Sequence, residues 1–223
     1  MNGKLFISAI TKFLLGVVLV GLLLFLPAGT LDWFGGWMLM AILFVPMFFA
    51  GIVMMIKNPA LLASRLVAKE KRGKQSTVVK LSGLMFLCGF IVAGLGVRFE
   101  WYTLPMPAQI IGAVMFIIAY LLYAEVLREN TYLSRTIEVQ EGQKVIDTGL
   151  YGIVRHPMYS ATLLLFLSMP IVLGSVWSFL IFMVYPFIIA ARLKDEEKFL
   201  EEELEGYREY KKKVKYRLIP FIW

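Results

Sequence analysis

The chain has 223 residues, 59% of them hydrophobic and 17% charged, with a formal charge of +7. Soluble domains lie near ~45–50% apolar and ~25% charged, so a water-soluble globule is excluded. One cysteine and one histidine exclude an intramolecular disulfide and the usual zinc ligand sets, so no metal is expected. The basic residues sit between apolar runs, where membrane orientation accounts for them, and no nucleic-acid partner is expected.

The first apolar run covers residues 5–26 and stops at Pro27. It is long enough to cross a hydrocarbon core of roughly 30 Å. Its length, its flanks and the spans behind it rule out a cleavable signal. A second span is predicted over 33–56. Residues 57–80 read as a basic linker, with Lys57, Arg65, Lys69, Lys71, Arg72, Lys74 and Lys80 against Glu70 alone. A third span is predicted over 78–97 and a fourth over 108–127, with Arg128, Glu129 and Asn130 carrying it into water. Gly94-Leu95-Gly96 is no dinucleotide fingerprint, because no strand precedes it.

Residues 131–156 are polar. After Pro157 an apolar run continues to Ala191. As one helix it would reach about 50 Å, too long for a single crossing. Pro170, Gly174 and Ser175 offer a break, so helices over 157–172 and 176–191 are predicted as a hairpin. From Arg192 to Lys213 the chain is strongly charged. Phe199, Leu200, Leu204 and Tyr207 recur at helical spacing, the pattern of an amphipathic helix leaving the membrane.

The fold class is therefore all-α, a polytopic membrane helical bundle of about six spans. Five spans with a re-entrant hairpin is the alternative. The chain reads as one membrane domain, with N-terminal spans over 1–106 and a catalytic, cofactor-binding half over 107–223. Lysine and arginine at Lys4 and Lys12, in 57–80, in 128–156 and in the tail put both termini in the cytoplasm. The membrane is a plasma (inner) membrane or the endoplasmic reticulum.

The chemistry gathers at the two ends of the 157–191 segment. Arg155-His156-Pro157-Met158-Tyr159 holds the only histidine. Proline suits the first helical turn, so His156 takes the cap position. A helix N-terminus carries open N–H groups and partial positive charge, which attract a carboxylate or phosphate; Arg155 would reinforce that preference. At the other end Arg192 and Glu196 share a helix face, and Glu197 follows. A hairpin brings both ends to one membrane face. His156, Tyr159, Arg192 and Glu196 would then surround one pocket with positive and negative subsites, suited to a zwitterion. Read alone, Arg192 and Glu196 also fit an ordinary surface pair. Trp101, Tyr102 and Trp177 read as interfacial aromatics and Glu125 as a snorkelling carboxylate.

These residues resemble the signature of the isoprenylcysteine carboxyl methyltransferase and phospholipid methyltransferase superfamily. The matching parts are Gly149-Leu150-Tyr151, Arg155 to Tyr159, an apolar hairpin, Arg192 with Glu196 and Glu197, Tyr207 and Tyr210, and Arg217-Leu218-Ile219-Pro220. The family pattern has proline where this chain has Leu150 and glycine where it has Ala161. The resemblance covers about residues 120–223. It implies S-adenosyl-L-methionine as cofactor, with Tyr151, His156, Pro157, Met158, Tyr159 and Glu196 at cofactor-binding positions and Val145 and Ile146 lining the adenine. It places Arg192 near the methyl acceptor.

The expected function is methyl transfer to a lipid-like acceptor, such as the carboxylate of a prenylcysteine-type substrate or a related amphiphile. A carboxylate acceptor needs no base, and Arg192 would orient it. A phospholipid amine, the alternative acceptor, would need Glu197 or His156 as base, so Arg192 and Glu197 are the catalytic candidates. A second enzyme class is an NADPH-dependent sterol-type reductase, whose family shares Arg-His-Pro-x-Tyr but continues with Gly-Glu where this chain has Ser160-Ala161. A non-catalytic membrane scaffold would tolerate change at Glu196.

Overall fold

The computed structural model describes residues 3–66, 73–130, 132–133 and 139–223. Among them the regular elements are nine α-helices and one 3-10 turn: α1 (Gly3–Ala28), α2 (Phe34–Lys57), α3 (Pro59–Leu66), α4 (Gly73–Arg98), α5 (Met106–Glu129), the turn Gly149–Gly152, α6 (Pro157–Val172), α7 (Val176–Phe182), α8 (Tyr185–Glu203) and α9 (Tyr207–Lys213). The fold is a polytopic helical bundle.

Five stretches are long and apolar enough to cross a membrane: α1, α2, Thr77–Arg98 within α4, α5, and Val176–Glu203 across α7 and α8. Their outer faces carry exposed leucine, isoleucine, valine and phenylalanine, as expected when lipid is the solvent. The protein is an integral membrane protein. The sixth apolar element, α6, has 16 residues. At 1.5 Å per residue it is ~24 Å long, short of a full core, and it forms the hairpin with α7 and α8.

Three expectations are corrected. The 57–80 segment is not all linker, because α3 forms within it; Asn58 accepts a hydrogen bond from the Leu61 amide at 3.0 Å and starts that helix. Lys69, Glu70, Lys71 and Arg72 of that linker lie outside the described residues. The tail is not one helix from 192 to 213. α8 runs unbroken from Tyr185 through the charged stretch, because nothing between Ala191 and Glu203 breaks a helix. It ends before Gly206, whose φ of +82° suits glycine and turns the chain into α9. The predicted arm 176–191 is also split, at Met183–Val184, since Pro186 in the first turn of α8 has no N–H to continue the α7 ladder.

The break after Val172 stands where it was expected. Ser175 caps α7 by accepting from the Ser178 amide at 3.2 Å. The same turn is tied to the α4–α5 loop, with the Leu104 amide donating to the Gly174 carbonyl at 2.8 Å and Trp101 edge-on to Trp177. The core runs along the bundle through Leu24, Leu39, Phe90, Phe116, Val172, Phe182, Ile189 and Leu193. Pinning the hairpin turn at one membrane face leaves its two open ends, Pro157 and the charged part of α8, together at the other.

Candidate active site

The C-terminal residues brace the start of α6. The Arg155 and His156 amides donate to the Tyr216 and Arg217 carbonyls, each at 2.9 Å, and Ser160 Oγ donates to the Leu218 carbonyl at 2.6 Å. The tail is thereby strapped along the first turn of α6. Pro157 has no N–H, and the Tyr159 and Ser160 amides donate to the His156 carbonyl. The expected row of open donors at this helix end is therefore mostly consumed within the protein.

Arg155 does not act as an open anion hook either. Its Nε donates to Glu197 Oε1 at 2.7 Å, and its Nη1 donates to the Val214 and Lys215 carbonyls at 2.8 and 2.7 Å. Glu197 is only 3% exposed. It also accepts from Arg217 Nε at 2.9 Å and lies 3.3 Å from His156 Nε2. Successive helical residues point about 100° apart, so Glu196 and Glu197 address different surroundings. Glu196 lines the cleft, whereas Glu197, put forward as a base from sequence, faces the tail and does not. Pro157 also lies off the cleft and serves as the helix start.

The cleft opens where α6, α8, α9 and the described residues between 130 and 151 meet. It is lined by Tyr151, His156, Met158, Tyr159, Arg192 and Glu196, with Val145 and Ile146 on its apolar side. Its cavity volume is about 110 Å³, below the ~300–1,000 Å³ of small-molecule sites. At its centre the buried Tyr159 hydroxyl accepts from Arg192 Nε at 2.7 Å and donates to Glu196 Oε2 at 2.5 Å. Arg192 and Glu196 are thus not a simple surface pair but are joined through a residue on another helix. His156 lies beside them, its ring stacked on that of Tyr159 and its Nδ1 3.9 Å from Glu196 Oε1.

The remaining wall depends on Glu129 at the end of α5. Its carboxylate accepts from the Leu150 amide at 3.0 Å and caps the turn Gly149–Gly152. Gly149 has a φ of +49°, and a Cβ there would sit on the Glu129 carboxylate. That turn sets Tyr151, whose hydroxyl accepts from Asn130 Nδ2 at 3.0 Å and whose carbonyl accepts from Tyr210 at 2.8 Å. Burial pushes the Tyr151 phenol up to about 12. Burial also raises Tyr207 and Tyr210 well above the ordinary tyrosine range, Tyr207 with help from the Glu197 and Glu196 charges.

Several lining residues had no sequence signal of their own: Asn130, Leu133, Gln143 and Lys144 sit in a polar segment without periodicity. Arg65 counted only as a topology charge, yet its Nη2 holds the Leu133 carbonyl at 2.9 Å. Tyr207 and Tyr210 belonged to the signature without a role, and they form the cleft's outer wall with Leu200 and Leu204. Glu125 pairs with Arg128 at 2.6 Å and is not part of the cleft. Ala161 is buried, so the methyl it adds is accommodated.

Residues 107–206 match the phospholipid methyltransferase family. The match covers just under half of the chain and shows a likeness of this segment to that family. The family segment runs from α5 to the end of α8 and contains every cleft-lining residue except Tyr207 and Tyr210. A stretch of 91 residues is also 30% identical to the mouse Delta(14)-sterol reductase TM7SF2, covering 40% of this chain and 22% of that relative.

Proposed function

We propose that the protein is an S-adenosylmethionine-dependent methyltransferase acting on an amphiphilic acceptor. The observation that carries this reading is the Arg192–Tyr159–Glu196 relay at the base of an open cleft, within the segment that matches the phospholipid methyltransferase family. It sets a guanidinium and a carboxylate on either side of one hydroxyl, which suits a ligand carrying both charges.

The residues present fit the cofactor. Glu196 and Tyr159 would hold its positive amino-acid end, Val145, Ile146 and Leu204 its adenine, and Tyr151 and Tyr210 brace that wall. When bound, S-adenosylmethionine supplies a methyl group already activated by positive sulfur. The protein's own part is to bind, to orient the acceptor and to exclude water. Arg192 lies one turn before Glu196, ~6 Å nearer the apolar part of α8, where an acceptor arriving from the lipid would meet it. Its planar fork would orient a carboxylate.

No general base is needed for that acceptor, and this agrees with Glu197 being held by Arg155 and Arg217 away from the cleft. An anionic acceptor group, such as the carboxylate of a prenylcysteine-type lipid, is therefore favoured over a phospholipid amine. Glu197 becomes a positioning residue that fixes His156 and the tail. The orientation proposed has the cleft and both termini on the cytoplasmic side, in a plasma or endoplasmic reticulum membrane, and the whole chain acting as one domain.

The sterol reductase relative motivates a second reading, with NADPH as cofactor. A 2′-phosphate calls for a cluster of basic side chains. Among the cleft-lining residues these are Lys144, Arg192 and Arg155, and Arg155 is engaged by Glu197. Calorimetry on purified protein in detergent separates the readings. S-adenosylmethionine or its demethylated product should bind and NADPH should not. Binding of NADPH alone would overturn the methyltransferase reading, and a labelled-methyl screen against lipid extracts would then identify no product.

A further inference from the structure

Beyond the cleft, the last residues make a second surface whose composition is unusual for a face in water. Residues 219–223 form a tight turn closed by the Leu218 and Ile219 amides, which donate to the Trp223 carbonyl at 2.9 and 3.0 Å. Trp223 packs inward against the core cluster, and the Arg217 guanidinium lies over its ring at 5.3 Å. Phe221 sits at a φ of +66°. The turn therefore projects Ile219, Phe221 and Ile222 outward, at 46%, 86% and 76% exposed.

Beside this apolar tip lies an open cleft lined by Lys211, Lys212, Lys215, Arg217, Ile222 and Trp223. Lys211 is paired with Glu201 and Arg217 with Glu197. Lys212 and Lys215 are exposed and have no acidic partner among the described residues. Height decides what covers the surface. Ser160 Oγ holds the Leu218 carbonyl, so the turn sits level with the first turn of α6, where the hairpin enters its apolar stretch. Exposed large apolar side chains next to unpaired lysines at that level are the pattern of an interfacial anchor.

We propose that the 218–223 turn dips into the membrane interface and that the adjoining basic cleft holds the phosphate of an anionic phospholipid. The occupant follows from charge complementarity and from the level of the turn. The apolar tip would lie among acyl chains while Lys212 and Lys215 meet the headgroup. The proposal does not depend on which reaction the active-site cleft carries out.

The test uses the full chain in phosphatidylcholine–phosphatidylglycerol vesicles. A fluorophore on Phe221→Cys, in a Cys88→Ala background, should be quenched by nitroxide-labelled lipid and protected from aqueous iodide; the reverse pattern overturns the anchor. Native mass spectrometry of protein released from mixed-lipid nanodiscs should show preferential retention of phosphatidylglycerol. Lys212→Gln and Lys215→Gln should each lower that preference about fivefold, and arginine at both positions should restore it. An unchanged preference in the double glutamine variant overturns the lipid site. Equally tight binding of inorganic phosphate to lipid-free protein in detergent, abolished by the same two substitutions, would assign the cleft to a free anion instead.

Discussion

The Tyr159 hydroxyl donates to Glu196 at 2.5 Å while accepting from Arg192 at 2.7 Å, so one phenol on α6 holds both charged groups of α8. The Tyr159 hydroxyl thereby fixes Arg192 and Glu196 relative to each other. Removing the hydroxyl should disturb both subsites at once. Tyr159→Phe should weaken cofactor affinity and lower turnover by about tenfold or more each, the scale of one hydrogen bond to a charged group. Calorimetry and single-turnover methyl transfer would measure the two losses; retention of both would remove the relay from the mechanism.

Glu196 and Arg192 can then be separated. Glu196→Gln keeps shape and loses charge, and should weaken cofactor binding by about 1.5–3 kcal/mol. Arg192→Lys keeps charge and loses the fork, and should leave cofactor affinity nearly unchanged while slowing transfer to the acceptor. The opposite pattern would reverse the two roles.

Glu197 should behave as a structural anion. It is buried between Arg155, Arg217 and His156. Glu197→Gln leaves two arginines short of their counter-charge, and losing one partner of a buried pair costs about 3–5 kcal/mol. The expected readout is a large drop in thermal midpoint in detergent. A variant of full stability with no turnover would return Glu197 to a role in the chemistry.

Gly149 should tolerate no side chain while Glu129 caps its turn. Gly149→Ala adds a clash to a left-handed backbone, a strain of about 1–3 kcal/mol. Cofactor affinity should fall because Tyr151 and Asn130 lose their register. Adding Glu129→Ala should relieve the clash but leave the turn uncapped, so that rescue of stability is partial.

The tyrosine wall predicts an alkaline limit. Burial raises the Tyr151 phenol to about 12 from an ordinary value of 10.0, and raises Tyr207 and Tyr210 as well. Above pH 10 the unfolded chain releases these protons while the folded chain keeps them. The unfolded state then binds fewer protons, and stability falls as pH rises. It should be complete below pH ~10 and decline from there upward. Thermal midpoints against pH, with tyrosinate absorbance followed in parallel, would check this. Three phenols ionising near pH 10 in the folded protein would contradict it.

The helices were legible because lipid leaves a chain few choices. Backbone groups in hydrocarbon must bond within the segment, so each apolar run of about 20 residues announces a helix, and Gly174 with Ser175 announces the hairpin turn. Tyr159, Arg192 and Glu196 could be named for the same reason, since each stands where an apolar stretch meets polar sequence. What a single residue faces was not legible. Glu196 and Glu197 are chemically alike and adjacent; only the α8 rotation, and the tail carrying Arg217 to one side of it, assigns one to the cleft and the other to the wall. Arg155 looked like a ligand for anions until the Val214 and Lys215 carbonyls were brought to it from sixty residues away. Composition and periodicity act along the chain and determined the bundle. The site depends on contacts between α5, α6, α8 and the tail, which no local pattern encodes, and so only the tertiary structure decided it.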